Sequence, residues 1–190
     1  MRCHLCLRLS WQPLCKHCLE TILAPTPAFR VLDNGLKVYS FYKYSDIATL
    51  LHTKHTFIGA KIFAQLGRHT LFAFLKTFAL PEGILAIPID DHVRHGYSHS
   101  AILANTTKPY LTPLYASLRA KNHERYSGQN KAFRQKHPRE FISKIPKYSD
   151  VILIDDILTT GSTLEEAYEI LKKYEINVLF ALVLADAKEN

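Results

Sequence analysis

One stretch limits this chain more than any other. Residues 151–163 read Val-Ile-Leu-Ile-Asp-Asp-Ile-Leu-Thr-Thr-Gly-Ser-Thr. Val151 to Ile154 is an apolar run without polar alternation, the pattern of a short strand buried on both faces of a parallel sheet. Two carboxylates, Asp155 and Asp156, follow at its C-terminal end. Thr159, Thr160, Gly161, Ser162 and Thr163 then make a loop of hydroxyls and one glycine, and a helix is expected from Leu164 onward. Ser162 with Glu165, and Thr163 with Glu166, have the spacing of a capping box. A helix N-terminus exposes unpaired N–H groups and the positive end of the dipole. Behind a glycine-containing loop it forms an anion cradle. In an open α/β sheet this edge is where ligands bind. Carboxylates cannot bind phosphate directly, but they accept hydrogen bonds from sugar hydroxyls or hold a hydrated Mg²⁺. The expected ligand is a phosphorylated sugar.

The stretch resembles the thirteen-residue phosphoribosyl pyrophosphate (PRPP) motif of type I phosphoribosyltransferases: an apolar run, Asp-Asp, two residues, then Thr-Thr-Gly-x-Thr. The resemblance implies that Asp155 and Asp156 hold the ribose hydroxyls and Mg²⁺. It implies that Thr159, Thr160, Gly161, Ser162 and Thr163 take the 5′-phosphate. It also implies an α/β fold, a type I phosphoribosyltransferase-like parallel sheet flanked by helices.

At 190 residues the chain has room for one main domain with a proper core and a small appendage. The expected division is a module at 1–24 and the main domain at 25–190. Net charge is +7, which favours a polyanionic partner without separating nucleic acid from phosphorylated metabolites. No signal peptide is read at the N-terminus, where cysteines begin at position 3. The richest apolar stretch, Leu71 to Ile89, is broken by Lys76, Pro81, Glu82 and Pro88, so no membrane insertion is expected. The expected location is cytoplasmic.

All four cysteines fall in the first 18 residues, as Cys3-x-x-Cys6 and Cys15-x-x-Cys18. Two such pairs a short loop apart can give four thiolates to one structural Zn²⁺. The competing readings are two disulfides or four free thiols. A cytoplasmic chain disfavours the first. His4 and His17 lie inside the pairs, but four cysteines already complete a tetrahedral shell.

Residues 19–36 read as a connector with an Asp33-Asn34-Gly35 turn. Lys37 to Tyr42 alternates as a strand. Ser45-Asp46 is positioned to cap a helix to Leu51. Lys54 to Gly67 reads as a second helix with an apolar stripe of Ile58, Ile62, Phe63 and Leu66, and Leu71 to Leu80 as a third. Ile84 to Ile89 is another apolar strand. Its following loop, Asp90 to Ser98, carries Arg94 and His95. Ser98 opens a helix, Tyr115 to Ala120 reads as a short helical piece, and Val178 to Leu184 is the next buried strand. Around 151–184 the order strand–loop–helix–strand is a βαβ unit, hence a parallel pairing.

Nine Lys or Arg stand against two acids between Arg119 and Lys147, so the excess charge is localised there. Arg119, Lys121, Arg125, Tyr126, Lys131 and Arg134 form a set suited to single-stranded DNA, cations for phosphates and an aromatic for base stacking. A solvated basic loop, and a mobile loop that closes over pyrophosphate, are the other readings.

The four-cysteine module, the aromatic strand near Tyr42–Tyr44, Pro88-Ile89, the turn at 95–97, the basic segment and the PRPP motif occur in an order that resembles the ComF family. His95-Gly96-Tyr97-Ser98-His99 stands where that family reads Arg-Gly-Phe-Asn-Gln. The resemblance to type I phosphoribosyltransferases implies that the loop with Arg94 and His95 grips the pyrophosphate and that Mg²⁺ accompanies PRPP; the resemblance to the ComF family implies structural zinc in the four-cysteine module. It implies a role in natural transformation, on incoming single-stranded DNA alongside competence-machinery proteins. A nucleobase-salvage phosphoribosyltransferase is the alternative.

Overall fold

The apolar runs pair into one sheet. The structure, a computed structural model, describes residues 1–89, 97–120 and 141–188. In chain order the strands are β1 (Ala28–Val31), β2 (Lys37–Ser40), β3 (Tyr42–Lys43), β4 (Leu85–Pro88), β5 (Thr112–Pro113), β6 (Leu118–Ala120), β7 (Phe141–Ser143), β8 (Asp150–Leu158) and β9 (Asn177–Asp186). Seven of them form the main sheet in the order β1-β2-β9-β8-β4-β5, with β3 pairing β9 beyond the end of β2. Only the β1–β2 hairpin is antiparallel; β2, β3, β9, β8, β4 and β5 pair in parallel. β6 and β7 make a separate antiparallel pair.

The helices are α1 (Tyr44–Leu51), α2 (Phe57–Gly67), α3 (Ala73–Leu75), α4 (His99–Thr106) and α5 (Ser162–Lys173). Both faces of the sheet are covered. Ile152 and Ile154 of β8 and Leu182 and Leu184 of β9 share a core with Ile47, Ile62, Phe63 and Leu103 of α1, α2 and α4. Val151, Leu153, Ala181 and Val183 point the other way, toward Leu164, Ala167 and Leu171 of α5 and Phe141 of β7. This explains the unbroken apolar runs: the alternation is between two buried faces. Two large faces covered with branched side chains make burial the dominant stabilising effect.

Several elements differ from the sequence expectation. The central strand does not stop at Ile154 but runs to Leu158, because β9 continues to pair with Asp155, Ile157 and Leu158. The 19–36 connector contains a strand, β1, whose mostly exposed residues give no buried alternation to read. Its predicted turn is present, with Gly35 at φ +88° and the Gly35 amide donating to Leu32 O at 2.9 Å. Tyr115 to Ala120 is not helical: a turn leads into β6, which is held by β7 rather than by its own residues. The third helix is shorter than read. A π-helical turn, Arg68–Phe72, leads into α3, and regular helix ends at Leu75. α1 starts after Lys43 and makes no side-chain cap, so the expected Ser45-Asp46 cap is absent. Ser98 does cap α4, accepting from the Ala101 amide at 3.2 Å.

Candidate functional site

The acid pair and the hydroxyl loop come together at the C-terminal end of β8. Asp155 and Asp156 are half-buried. Strand alternation puts Asp156 on the α1–α2–α4 side with Ile154, and Asp155 on the α5 side. Asp155 Oδ1 accepts the amide of Asp156 at 2.8 Å, which orients that carboxylate along the strand.

The loop is shaped by its backbone. Gly161 has φ +85°, ψ −11° and serves as the N-cap of α5. A side chain there would be strained, and a Cβ would lie 2.8 Å from Leu32 Cδ2. The first helical bond runs from the Glu165 amide to Gly161 O at 2.9 Å. The amides of residues 162–164 therefore have no intrahelical partner and mark the positive end of α5, although the Ser162 amide donates a long bond of 3.4 Å to Thr160 Oγ1. The two capping boxes are not formed. Ser162 is already the first helical residue, and Glu165 turns outward to accept the Asp33 amide at 3.2 Å. Thr160 Oγ1 lies 3.0 Å from Ser162 Oγ, so the hydroxyls line one side of the loop.

The support for this loop comes from β1 and the turn that follows it, within the 19–36 segment expected to be a connector. Arg30 of β1 donates to Thr159 O at 2.8 Å and pairs with Asp186 at 3.2 Å. Leu32 fills the space beneath Gly161, and Asn34 Nδ2 donates to Glu165 O at 3.3 Å. A cleft of about 540 Å³ opens here, lined by Arg30, Thr159, Thr160, Glu165 and Lys188 among others.

On the other side of the acid pair stands Lys54, read in sequence only as the start of a helix. Its Nζ lies 3.4 Å from Asp156 Oδ2. It belongs to a 3₁₀ turn, His52–His55, ahead of α2. The Lys54 carbonyl accepts from the Tyr97 hydroxyl and from His99 Nε2, the latter at 2.6 Å. A carbonyl only accepts, so Nε2 carries the proton in this contact. Periodicity does not reveal this contact, because the turn before α2 and the start of α4 meet only in the folded chain.

The four cysteines converge. Their sulfurs all lie within 4.8 Å of one another, and Cys6 Sγ is 3.6 Å from Cys15 Sγ. A disulfide would be about 2.05 Å, whereas four sulfurs around one tetrahedral Zn²⁺ at about 2.3 Å sit roughly 3.8 Å apart. All four are free thiols, which removes the disulfide reading. Cys3 and Cys18 are buried. Burial alone would raise the Cys3 thiol, but backbone donors from Cys6, Cys15 and Leu5 outweigh it and lower it to about 6; burial pushes Cys18 up. The arrangement can hold a metal ion. The cluster docks on α2 through Gln65, whose Oε1 accepts the Leu14 amide at 2.9 Å and whose Nε2 donates to Leu14 O at 3.0 Å. Leu14 and Leu23 thereby enter the main core.

Arg94 and His95 lie outside the described residues, as do Lys121, Arg125, Tyr126, Lys131 and Arg134. Arg119 is exposed on β6. A cavity of about 910 Å³ between α2 and α4, lined by Phe57, Lys61, Arg68, Tyr97, Asn105 and Tyr115 among others, does not include the acid pair. The 540 Å³ cleft is not lined by the acid pair either, but it reaches Thr159 and Thr160 of the hydroxyl loop. Among the described residues no helix is long and apolar enough to cross a membrane.

Residues 101–190, just under half of the chain, match the family described as "Phosphoribosyl transferase domain". Similar solved structures include a hypoxanthine phosphoribosyltransferase from Staphylococcus aureus, at 16% identity over 67% of each chain with TM-score 0.41. An orotate phosphoribosyltransferase from Aeropyrum pernix is 21% identical over 92% of this chain and 82% of that one, with TM-score 0.43. An adenine phosphoribosyltransferase is 13% identical over 90% and 89%, with TM-score 0.42. No curated protein matches the chain. Over residues 101–190 the chain is similar to a phosphoribosyl transferase domain; its described residues form a mainly parallel α/β sheet with a four-cysteine cluster near the N-terminus.

Proposed function

We propose that the β8–α5 edge binds Mg²⁺ and PRPP. The observation that carries this reading is the acid pair on the central strand, two residues before a hydroxyl loop that turns through left-handed Gly161 into an open helix end. The amides of 162–164 and the hydroxyls of Thr159, Thr160, Ser162 and Thr163 would take the 5′-phosphate. Asp155 and Asp156 would accept the ribose hydroxyls and hold hydrated Mg²⁺, which neutralises pyrophosphate charge when bound. Arg94 and His95 are proposed on the pyrophosphate. A structural Zn²⁺ in Cys3, Cys6, Cys15 and Cys18 would fasten residues 1–24 to α2.

We assign the chain to handling of incoming single-stranded DNA in natural transformation, in the cytoplasm and with competence-machinery proteins. The support is the localisation of the +7 charge in 119–147, with Tyr126, Phe133 and Phe141 interleaved. Salvage of a free nucleobase is the competing function.

Calorimetric titration of the metal-loaded protein with PRPP and Mg²⁺, with and without short single-stranded DNA, tests both. PRPP binding that vanishes in Asp155→Asn/Asp156→Asn, without a fall in thermal stability, is the expected result. Unchanged affinity in that variant would refute the site. DNA affinity should fall steeply from low to physiological salt if phosphates are tracked. Undetectable DNA binding at low salt would leave the salvage reading.

A further inference from the structure

We infer that Lys54 is a substrate-contacting cation of this site, the group that meets the pyrophosphate of a ligand whose ribose rests on Asp156. The inference rests on the phosphoribosyl reading above and adds a residue that neither the PRPP motif nor the matched family segment contains.

The geometry begins with the turn. Thr56 O and Lys54 O both face the Tyr97 hydroxyl, with Thr56 O at 2.7 Å, and His99 Nε2 holds Lys54 O from the other side. The His99 ring is itself placed between Phe63 and Tyr97, with centroids 5.4 and 5.3 Å away. Thr56 caps α2 by accepting the Gly59 amide at 3.1 Å, and it donates to Thr53 O at 2.8 Å. A Cβ at Gly59 would run into the Thr53 carbonyl, so the turn packs directly on the helix it precedes. The Lys54 carbonyl is thus held by Tyr97 and His99, while its side chain keeps 34% of its surface exposed.

A fixed backbone with an exposed head aims a charge at one place. An ammonium has three donors, and Asp156 engages one face of it. A ribose hydroxyl on the same carboxylate would sit about 2.7 Å from it. The carbon bearing the 2-hydroxyl adjoins C1, which carries the pyrophosphate. A cation 3.4 Å from Asp156 Oδ2 therefore stands beside the leaving group, on the α2 side of the sheet. In transfer, the C1–oxygen bond breaks with its electron pair going to pyrophosphate, and C1 takes its new bond from the acceptor. Lys54 takes no part in proton transfer in this step and stabilises the charge that develops. Were the pair only structural, a partly exposed contact of this kind would contribute about 1 kcal/mol or less to stability.

The experiment compares PRPP with ribose 5-phosphate, which has the same ribose and 5′-phosphate but no pyrophosphate. Both are titrated with Mg²⁺ into full-length, metal-loaded wild type, Lys54→Met, Lys54→Gln and Lys54→Arg. Ribose 5-phosphate is read by phosphorus NMR and by competition against PRPP. Lys54→Gln keeps a donor toward Asp156 and serves if the methionine variant fails to fold. The expected result is a tenfold or greater loss of PRPP affinity in the Met and Gln variants. Ribose 5-phosphate should stay within twofold, and arginine should restore most of the loss. Equal weakening of both ligands, or unchanged PRPP affinity, would overturn the role of Lys54. Failure of wild type to bind either ligand would instead overturn the phosphoribosyl reading itself.

Discussion

The four-cysteine cluster and the hydroxyl loop are both short motifs, yet they are held in opposite ways. The cluster closes on itself within sixteen residues. Cys3 donates to Arg8 O, His4 to Pro13 O and Leu7 to Cys3 O, and these local bonds bring the sulfurs together. The loop's own residues do not hold it. Its shape depends on Leu32 beneath Gly161, Arg30 on Thr159 O and the hairpin tip on Glu165, all about 130 residues away in sequence. A metal-type cluster concentrates its binding energy in a few coordinate bonds and needs little scaffold. An anion cradle uses backbone amides, whose direction only the surrounding packing can set.

That contrast can be broken experimentally. Structural Zn²⁺ in isolated finger peptides is worth about 10–16 kcal/mol, comparable to the whole stability of an ordinary domain. Chelation, or Cys18→Ser, should therefore have the largest effect. Hydrogen exchange at the Leu14 and Leu23 amides should rise to the rate of an unfolded segment. Retained protection after metal removal would show that the cluster is fastened by packing alone.

Gly161→Ala attacks the loop. The left-handed conformation costs about 1–2 kcal/mol for a residue with a Cβ, and the clash with Leu32 adds about 1–3 kcal/mol. Melting should fall and PRPP affinity should fall with it. Adding Leu32→Ala should relieve the steric part but not the conformational part, so the double variant should recover incompletely. Complete recovery would mean that φ at 161 is not a constraint.

Gln65→Leu tests the tether between the two regions. It leaves the Leu14 amide and carbonyl unpaired in a buried place, at a cost of about 1–3 kcal/mol. The cost should disappear after chelation, because Leu14 is then already released. A cost that persists in the metal-free protein would show that residues 1–24 stay docked without metal. Arg30→Met should have the smallest effect. It removes one bond to Thr159 O and one partly exposed ion pair, worth about 1 kcal/mol. It should weaken PRPP severalfold with little change in the exchange of Leu14. An equal response at Leu14 would mean that hairpin and cluster are coupled.

The candidate site residues are readable in sequence because each motif is contiguous or nearly so. Four cysteines in two CxxC pairs, an apolar run ending in Asp155-Asp156 and a Thr-Thr-Gly-Ser-Thr turn each need only local chain geometry to declare themselves. The βαβ unit was readable for the same reason: buried strands lack alternation, and Leu164, Ala167 and Leu171 mark one helix face. The tertiary structure alone decided the rest. β1 and β6 carry too little buried pattern to announce a strand and exist because β2 and β7 supply their hydrogen bonds. The cap of α5 is Gly161 rather than a hydroxyl because Leu32 and the φ of that residue fix where the helix begins. Lys54 joins Asp156 across 102 residues. Such pairings follow from the tertiary packing of distant segments, and no short window along the chain contains both partners.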